Sequence, residues 1–161
     1  YEILRCLVGS EMCIRDSLIE IGGEILAKGR NPERGNWKIS IDKPISGNKA
    51  LEHHPQMVVS FTDMGMATSG NYRNTQSIKG STYGHTISSK TGRPIQTNIL
   101  SATVLSKTAM EADGLATAFM AMGKANAVKL IEKMNMNAML ILSDSSIWYS
   151  KEFEKLIIEK R

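Results

Sequence analysis

The sequence predicts an α+β fold: a mostly antiparallel sheet packed against a pair of helices. Three observations lead there. Up to residue 106 the apolar residues come in short runs, many with a period of two, separated by turns rich in Gly, Pro and Asn. From residue 108 to residue 134 the period lengthens to that of a helix. Beyond it, "NAMLILSD" returns to strand. A block of strands, a helix pair and further strand is an α+β order, whereas alternating βαβ units would predict a parallel sheet.

Each element has its own signal. "LIEI" at 18–21 is a short alternating strand. Gly22-Gly23 then lets the backbone turn or approach a neighbour closely, and strand resumes over 24–28. "RNPERGN" is a polar turn. In "WKISIDKP", Trp37, Ile39 and Ile41 alternate with Lys38, Ser40 and Asp42, a half-buried strand. "ISGNKALEHHPQ" is a loop. "MVVSFTDMGMATSG" reads as a strand pair around Asp63 that ends in a Thr-Ser-Gly turn. "YRNTQSIKGSTYGHTIS" reads as a hairpin about Lys79-Gly80, "SKTGRPIQTN" as a turn and "ILSATVLS" as a strand. From residue 108 or 109 to 122 come strong helix formers, with Gly123 as the C-cap. In "KANAVKLIEKM", Ala127, Leu130, Ile131 and Met134 share one apolar face of a second helix. The end, "SSIWYSKEFEKLIIEKR", fits a turn and a last strand, or a short helix.

The 161 residues suffice for one domain with a core, and 42% apolar with 22% charged residues is a globular composition. Ten methionines against three phenylalanines point to soft, adaptable packing. A net charge of +4, no Lys/Arg run longer than two and 6% aromatics argue against a nucleic-acid face. No apolar run approaches the ~18 residues of a membrane span.

The first seventeen residues, "YEILRCLVGSEMCIRDS", resemble a translated sequencing adapter. Back-translated, they read as a transposon-library adapter, its index coding for residues 3–6, in one unbroken frame. They are therefore set apart from the fold as a non-native segment. Residues 18–161 are read as the natural segment, with an arbitrary break at Leu18. Both cysteines, Cys6 and Cys13, lie in the adapter-like stretch, so no disulfide is expected in the remainder. Removing Arg5 and Arg15 from the 20 basic residues, and Glu2, Glu11 and Asp16 from the 16 acidic ones, leaves 18 and 13, a net charge of +5. The gene is expected to continue upstream of Leu18, where any signal peptide or lipid anchor would lie.

The chemistry centres on "MEADGLATAF" at 110–119, an apolar helix that carries Asp113 and Thr117. Residues four apart on a helix share a face, so a carboxylate and a hydroxyl are presented together. Hard cations such as Mg²⁺ take such oxygen ligands, with substrate phosphates completing the shell. The same spacing also suits an aspartate that hydrogen-bonds nearby backbone or complements the helix dipole. His85 in "GHTIS" reads either as a loop histidine or as a general base, its usual pKa being suited to proton transfer. His53-His54 reads as solvated. "ATSG" at 67–70 offers hydroxyls and amides of the kind that bind phosphate, and is equally ordinary turn chemistry. "IGGE" is no dinucleotide fingerprint, and neither a G-x-S-x-G elbow nor a cysteine nucleophile is present in the remainder.

The blocks carry more in series than singly. "EIGGE" at 20–24, W-x-I-x-I-x-x-P at 37–44, "ATSGNYR" at 67–73, H-T-I-x-x-K-T-G-R-P at 85–94, "SATV" at 101–104 and "EADGLATAFMAMG" at 111–123 occur in that order. The series resembles the ApbE family, the FAD:protein FMN transferases once called thiamine-biosynthesis lipoproteins, over nearly all of 18–143. The resemblance implies an ApbE-like, T-fold-related architecture. It also implies an enzyme that cleaves FAD with Mg²⁺, transfers FMN to a threonine hydroxyl of a target flavoprotein and releases AMP. Such targets include subunits of membrane redox complexes. Alternatives within reach of the same residues are a Mg²⁺-dependent FAD hydrolase giving FMN and AMP, and a non-catalytic FAD-binding protein. The family implies a periplasmic or membrane-associated location, reached through an N-terminal lipoprotein anchor.

Carried over by resemblance, Asp113 and Thr117 match the metal-ligand positions of the family's A-D-x-x-x-T helix. His85 and Ile87 match an H-x-I segment that lines the FAD site, with His85 as base or phosphate-orienting residue. Thr68 and Glu24 match positions near the flavin pocket. Two departures stand out. The family's H-x-I-D-P-x-T-G reads Ser88 and Ser89 where Asp and Pro are usual, and Ala116 stands where some members carry an acid. The resemblance also implies that residues 18–161 are the C-terminal part of a flavin transferase domain whose N-terminal half is missing; with half the site absent, the fragment alone is expected to bind FAD poorly and to be inactive.

Overall fold

The computed structural model describes residues 16–44, 54–71, 75–78, 81–84, 87, 91–95 and 97–160. The chain runs through β1 (Ser17–Ile21), β2 (Glu24–Lys28), β3 (Trp37–Asp42), β4 (Pro55–Phe61), β5 (Met64–Gly70), β6 (Thr75–Ile78) and β7 (Ser81–Gly84). It continues through β8 (Ile99–Ser106), α1 (Ala109–Met122), α2 (Lys124–Lys133), β9 (Asn137–Leu142), β10 (Ile147–Tyr149), α3 (Lys151–Glu154) and β11 (Ile157–Lys160). A six-stranded antiparallel sheet in the order β1-β2-β5-β8-β9-β10 forms the middle layer. A three-stranded sheet, β11-β4-β3, lies on one face, and the helices α1 and α2 lie on the other. The expected α+β class and its helix pair are what the chain adopts. Among the described residues no helix is long and apolar enough to cross a membrane.

Alternation in the strands builds the layers. On β9, Ala138, Leu140 and Leu142 pack under the helices, while Met139 and Ile141 pack under the small sheet. On β8, Ala102 and Val104 take the helix side and Leu105 the other. The central strands are thus buried on both faces, which is why "ILSATVLS" and "NAMLIL" read as nearly continuous apolar runs rather than clean alternations. From α1, Ala112, Ala116, Phe119 and Met120 face the sheet; from α2, Ala127 and Ile131 do.

Local chemistry fixes the ends. Gly22 and Gly23 hold φ of 66° and 102° between Ile21 and Glu24, which pair. Positive φ at both turn positions closes a two-residue hairpin, a conformation that costs glycine little. Thr108 caps α1: its backbone is extended and its Oγ1 accepts from Glu111 N at 3.1 Å. Gly123, φ 72°, ends α1 and starts α2. The β6–β7 hairpin pairs Ile78 with Ser81; the expected turn at 79–80 lies outside the described residues. Strand β1 begins at Ser17, one residue before the expected start, and Asp16 Oδ1 accepts from Arg30 N at 3.0 Å.

Two expectations need correction. The two strands expected around Asp63 form but do not pair with each other: β4 pairs with β3 and β11, whereas β5 pairs with β2 and β8. Asp63 (φ 53°) turns the chain from one sheet to the other, and its carboxylate accepts from Gly29 N at 3.2 Å. Nor is Thr-Ser-Gly at 68–70 a turn. It continues β5, with Thr68 paired to Thr103 and Ser69 to Ala102, because partners on the neighbouring strand outweigh the local turn preference of these residues. The end of the chain holds both alternatives considered for it, a single helical turn and a last strand.

The β9–β10 turn is acid-sensitive. The Asp144 carboxylate accepts from Ser146 Oγ at 2.6 Å and Ser146 N at 2.9 Å. The hydroxyl hydrogen bond, more than any other cause, holds its pKa below the usual carboxylate range. A lowered folded-state pKa means the stabilisation is complete above the unfolded value and is lost as pH falls through the folded one. An NMR titration should give Asp144 a midpoint below that of an ordinary aspartate, and Ser146→Ala should raise it. A midpoint that ignores Ser146→Ala would contradict this turn.

Candidate functional site

Strand β5 positions α1. A Cβ on Gly65 would lie 2.2 Å from Ala109 N and 2.4 Å from Thr108 C, so the first turn of α1 rests directly on the β5 backbone. Four residues along β5, Ser69 Oγ lies 2.8 Å from Thr117 Oγ1. Four residues of strand span about 13 Å and eight of helix about 12 Å, so α1 runs parallel to β5 between these contacts. Asp113, halfway, lies level with Ala67. It flanks the stripe made by Ala112, Ala116, Phe119 and Met120, and both it and Thr117 are exposed. The apolar helix thus carries its carboxylate and hydroxyl at the edge of the buried stripe, not inside it.

That edge opens over β2 and β1. The β2–β5 register pairs Ile25 with Met66 and Leu26 with Gly65; one step further places Glu24 beside Ala67. Ile25 and Ala27 belong to the core on the small-sheet side, so Glu24 and Leu26 face the helix side. By the same alternation Ile19 and Ile21, paired with Leu26 and Glu24, lie on the helix side. They remain 48% and 73% exposed, so α1 leaves this end of the sheet uncovered. Asp113 and Thr117 thus stand beside an uncovered part of the sheet's helix face, an open cleft in this sense only, which carries Glu24, Ile19 and Ile21.

Asp113 and Thr117 share the exposed edge of α1, and Glu24 lies on the same face of the sheet. Thr68 points to the opposite face of the sheet, where its Oγ1 lies 2.8 Å from Thr103 Oγ1. Ile87 bridges Pro94 and is 54% exposed. His85 lies outside the described residues, as do Ser88 and Ser89. Ala116 is fully buried, so that position contributes packing and no ligand oxygen. Sequence reasoning did not single out Ser69, which the fold brings to Thr117. The signal for Ser69 was its neighbour: on a strand, only one of Thr68 and Ser69 can face the helix, and register decides which.

The donors fit a hard cation. All are oxygens, and among the described residues no group of three or more His, Cys, Asp or Glu gathers into a complete cage. Zinc would want nitrogen or sulfur from several residues, whereas Mg²⁺ takes one or two carboxylates and leaves the rest of its shell to water and phosphate. Asp113, Thr117 and the space of the open cleft suit the second. A separate concavity of about 640 Å³ at the α1–α2 corner is lined by Asn98, Lys124, Lys129 and Trp148 among others; it contains no carboxylate.

A family model described as the ApbE family matches residues 7–140. The chain belongs to the ApbE family. Among its curated relatives, the FAD:protein FMN transferase of Haemophilus influenzae is 41% identical over 143 residues, covering 86% of this chain and 40% of that protein. The FAD:protein FMN transferase of Vibrio cholerae is 39% identical over 129 residues, covering 80% of this chain and 37% of its own length. Among solved structures, the flavin transferase ApbE from Vibrio cholerae superposes with a TM-score of 0.71 at 34% identity, over 88% of this chain and 44% of that one. The apo flavinyl transferase ApbE of Pseudomonas stutzeri gives a TM-score of 0.74 at 30% identity, over 96% and 46%. The ApbE chain described here thus spans less than half the length of these relatives.

Proposed function

We propose that this chain is the part of a Mg²⁺-dependent FAD:protein FMN transferase that holds the metal and one wall of the flavin cleft. The observation that carries it is the pairing of Asp113 with Thr117 on the exposed edge of α1, above a cleft that is open to a ligand. The relatives' shared name, FAD:protein FMN transferase, supplies the substrate. Mg²⁺ bound there would supply charge neutralisation for a pyrophosphate as AMP departs. The remaining roles belong to side chains. Asp113 and Thr117 offer oxygens to the cation, and Ile19 and Ile21 offer an apolar floor to a planar ring. His85, by family resemblance, takes the proton of the acceptor threonine or orients the phosphate; a hydroxyl is a weak nucleophile without such a base. The acceptor would be a threonine of a flavoprotein subunit of a membrane redox complex, with the enzyme periplasmic and anchored upstream of this chain.

The test uses a full-length protein that carries this chain, incubated with FAD, Mg²⁺ and a candidate acceptor domain. Covalent flavin is read by in-gel fluorescence. The expected result is a fluorescent acceptor, with Asp113→Ala reducing the initial rate by about 100-fold or more, the scale on which removing a single transition-state charge stabiliser acts. Free FMN and AMP without labelled acceptor would replace transfer by hydrolysis. Full activity in Asp113→Ala would remove the metal role from this residue.

A further inference from the structure

We infer that Ser69 is a positioning residue for the metal centre: its Oγ takes up the Thr117 hydroxyl and fixes which way the Thr117 oxygen faces. This rests on the reading of Asp113 and Thr117 as cation ligands and goes one residue beyond it. The geometry is specific. Ser69 Oγ and Thr117 Oγ1 are 2.8 Å apart, a normal O–H···O distance. Ser69 is held on β5 by its pairing with Ala102, and Ala67 beside it packs in the core. Thr117, by contrast, is exposed on the helix edge, where its side chain has more than one rotamer open to it.

The chemistry follows from what a hydroxyl ligand needs. A threonine oxygen that gives a lone pair to a cation must send its proton elsewhere, and an acceptor must stand ready on the other side. Ser69 Oγ, on the rigid central sheet, is that acceptor. It therefore selects the Thr117 rotamer that keeps the oxygen lone pairs in the cleft on the Asp113 side, and it raises the electron density on that oxygen. Outer partners of metal ligands act in this way generally, orienting the ligand and raising its basicity. Thr68 cannot do so, since it faces the opposite side of the sheet. Within the "ATSG" run, the serine and not the threonine thus serves the site.

The experiment is a Mn²⁺ titration of a full-length protein that carries this chain, with free Mn²⁺ read by EPR, on wild type, Asp113→Ala, Ser69→Ala, Ser69→Thr, Thr117→Val and the Ser69→Ala/Thr117→Val double variant. Ser69→Ala is expected to weaken Mn²⁺ binding by about tenfold. Ser69→Thr, which keeps the hydroxyl, should recover most of it. In the Thr117→Val background Ser69→Ala should change the affinity by less than about twofold, because the pair acts as one unit. A serine that merely docks the helix would lower the melting temperature without this rescue and without this coupling. If Asp113→Ala binds as wild type does, or wild type binds no Mn²⁺, the metal reading itself fails. If Asp113→Ala loses affinity while Ser69→Ala keeps it, or its loss persists in Thr117→Val, the metal reading stands and the role of Ser69 is overturned.

Discussion

Replacing Gly65 with alanine is expected to cost about 3 kcal/mol or more of folding stability and to displace the helix that carries Asp113 and Thr117. The added Cβ would meet three backbone atoms of residues 108 and 109, the nearest at 2.2 Å. Side chains can rotate away from such an intrusion; a helix N-terminus cannot. Relief requires α1 to lift off β5, which breaks the spacing between the Gly65 contact and the Ser69–Thr117 hydrogen bond. Urea unfolding should show a lower midpoint, and Mn²⁺ binding should weaken in parallel. Gly35→Ala is the matched control, because the nearest atoms to its Cβ belong to the Asn31 side chain at 3.6 Å. A cost below about 1 kcal/mol for Gly65→Ala would mean that α1 does not rest on β5 at this point.

The second large effect separates stability from the site. Phe153 is fully buried, although it belongs to α3, a single turn of helix. It fills the core between the two sheets with Phe61, Met57 and Met139. Ser150 Oγ sets it in place by accepting from Phe153 N and Ala138 N, each at 3.2 Å. Phe153→Ala removes a ring from a packed interior and should cost about 3–5 kcal/mol, the sum of lost burial and the cavity left behind. The cleft lies on the other face of the central sheet and draws no side chain from this core. Below the lowered melting temperature, Mn²⁺ affinity should therefore stay within about twofold of wild type, as expected for distant, independent sites. A calorimetric melt and an EPR titration on the same sample decide it: a loss of affinity in the folded state would show that the two faces of the sheet are coupled.

What could be read in the sequence was local. Period-two runs marked β3 and the ends of β1 and β2, and Gly22-Gly23 marked their turn. A run of helix formers between Thr108 and Gly123 marked α1 within a residue at each end. The four-residue spacing of Asp113 and Thr117 was enough to pair them on one edge, because helical geometry is fixed by the backbone alone. The central strands were harder, since burial on both faces erases the alternation that distinguishes strand faces.

What only the tertiary structure decided was non-local. Strand partners are chosen by long-range pairing, so nothing in "SFTDMG" reveals that β4 and β5 part at Asp63 into different sheets. Register is equally hidden: a shift of one residue would send Thr68 to the cleft and Ser69 to the other face. The pairing of Thr68 with Thr103 and Ser69 with Ala102 settles that choice. The close seat of α1 on Gly65 likewise depends on a strand and a helix that are more than forty residues apart in the chain. The sequence thus determined that Asp113 and Thr117 share one edge of a helix, because helix spacing and residue type are local properties. The fold decided which side chains meet, because meeting depends on contacts between distant segments that no local pattern encodes.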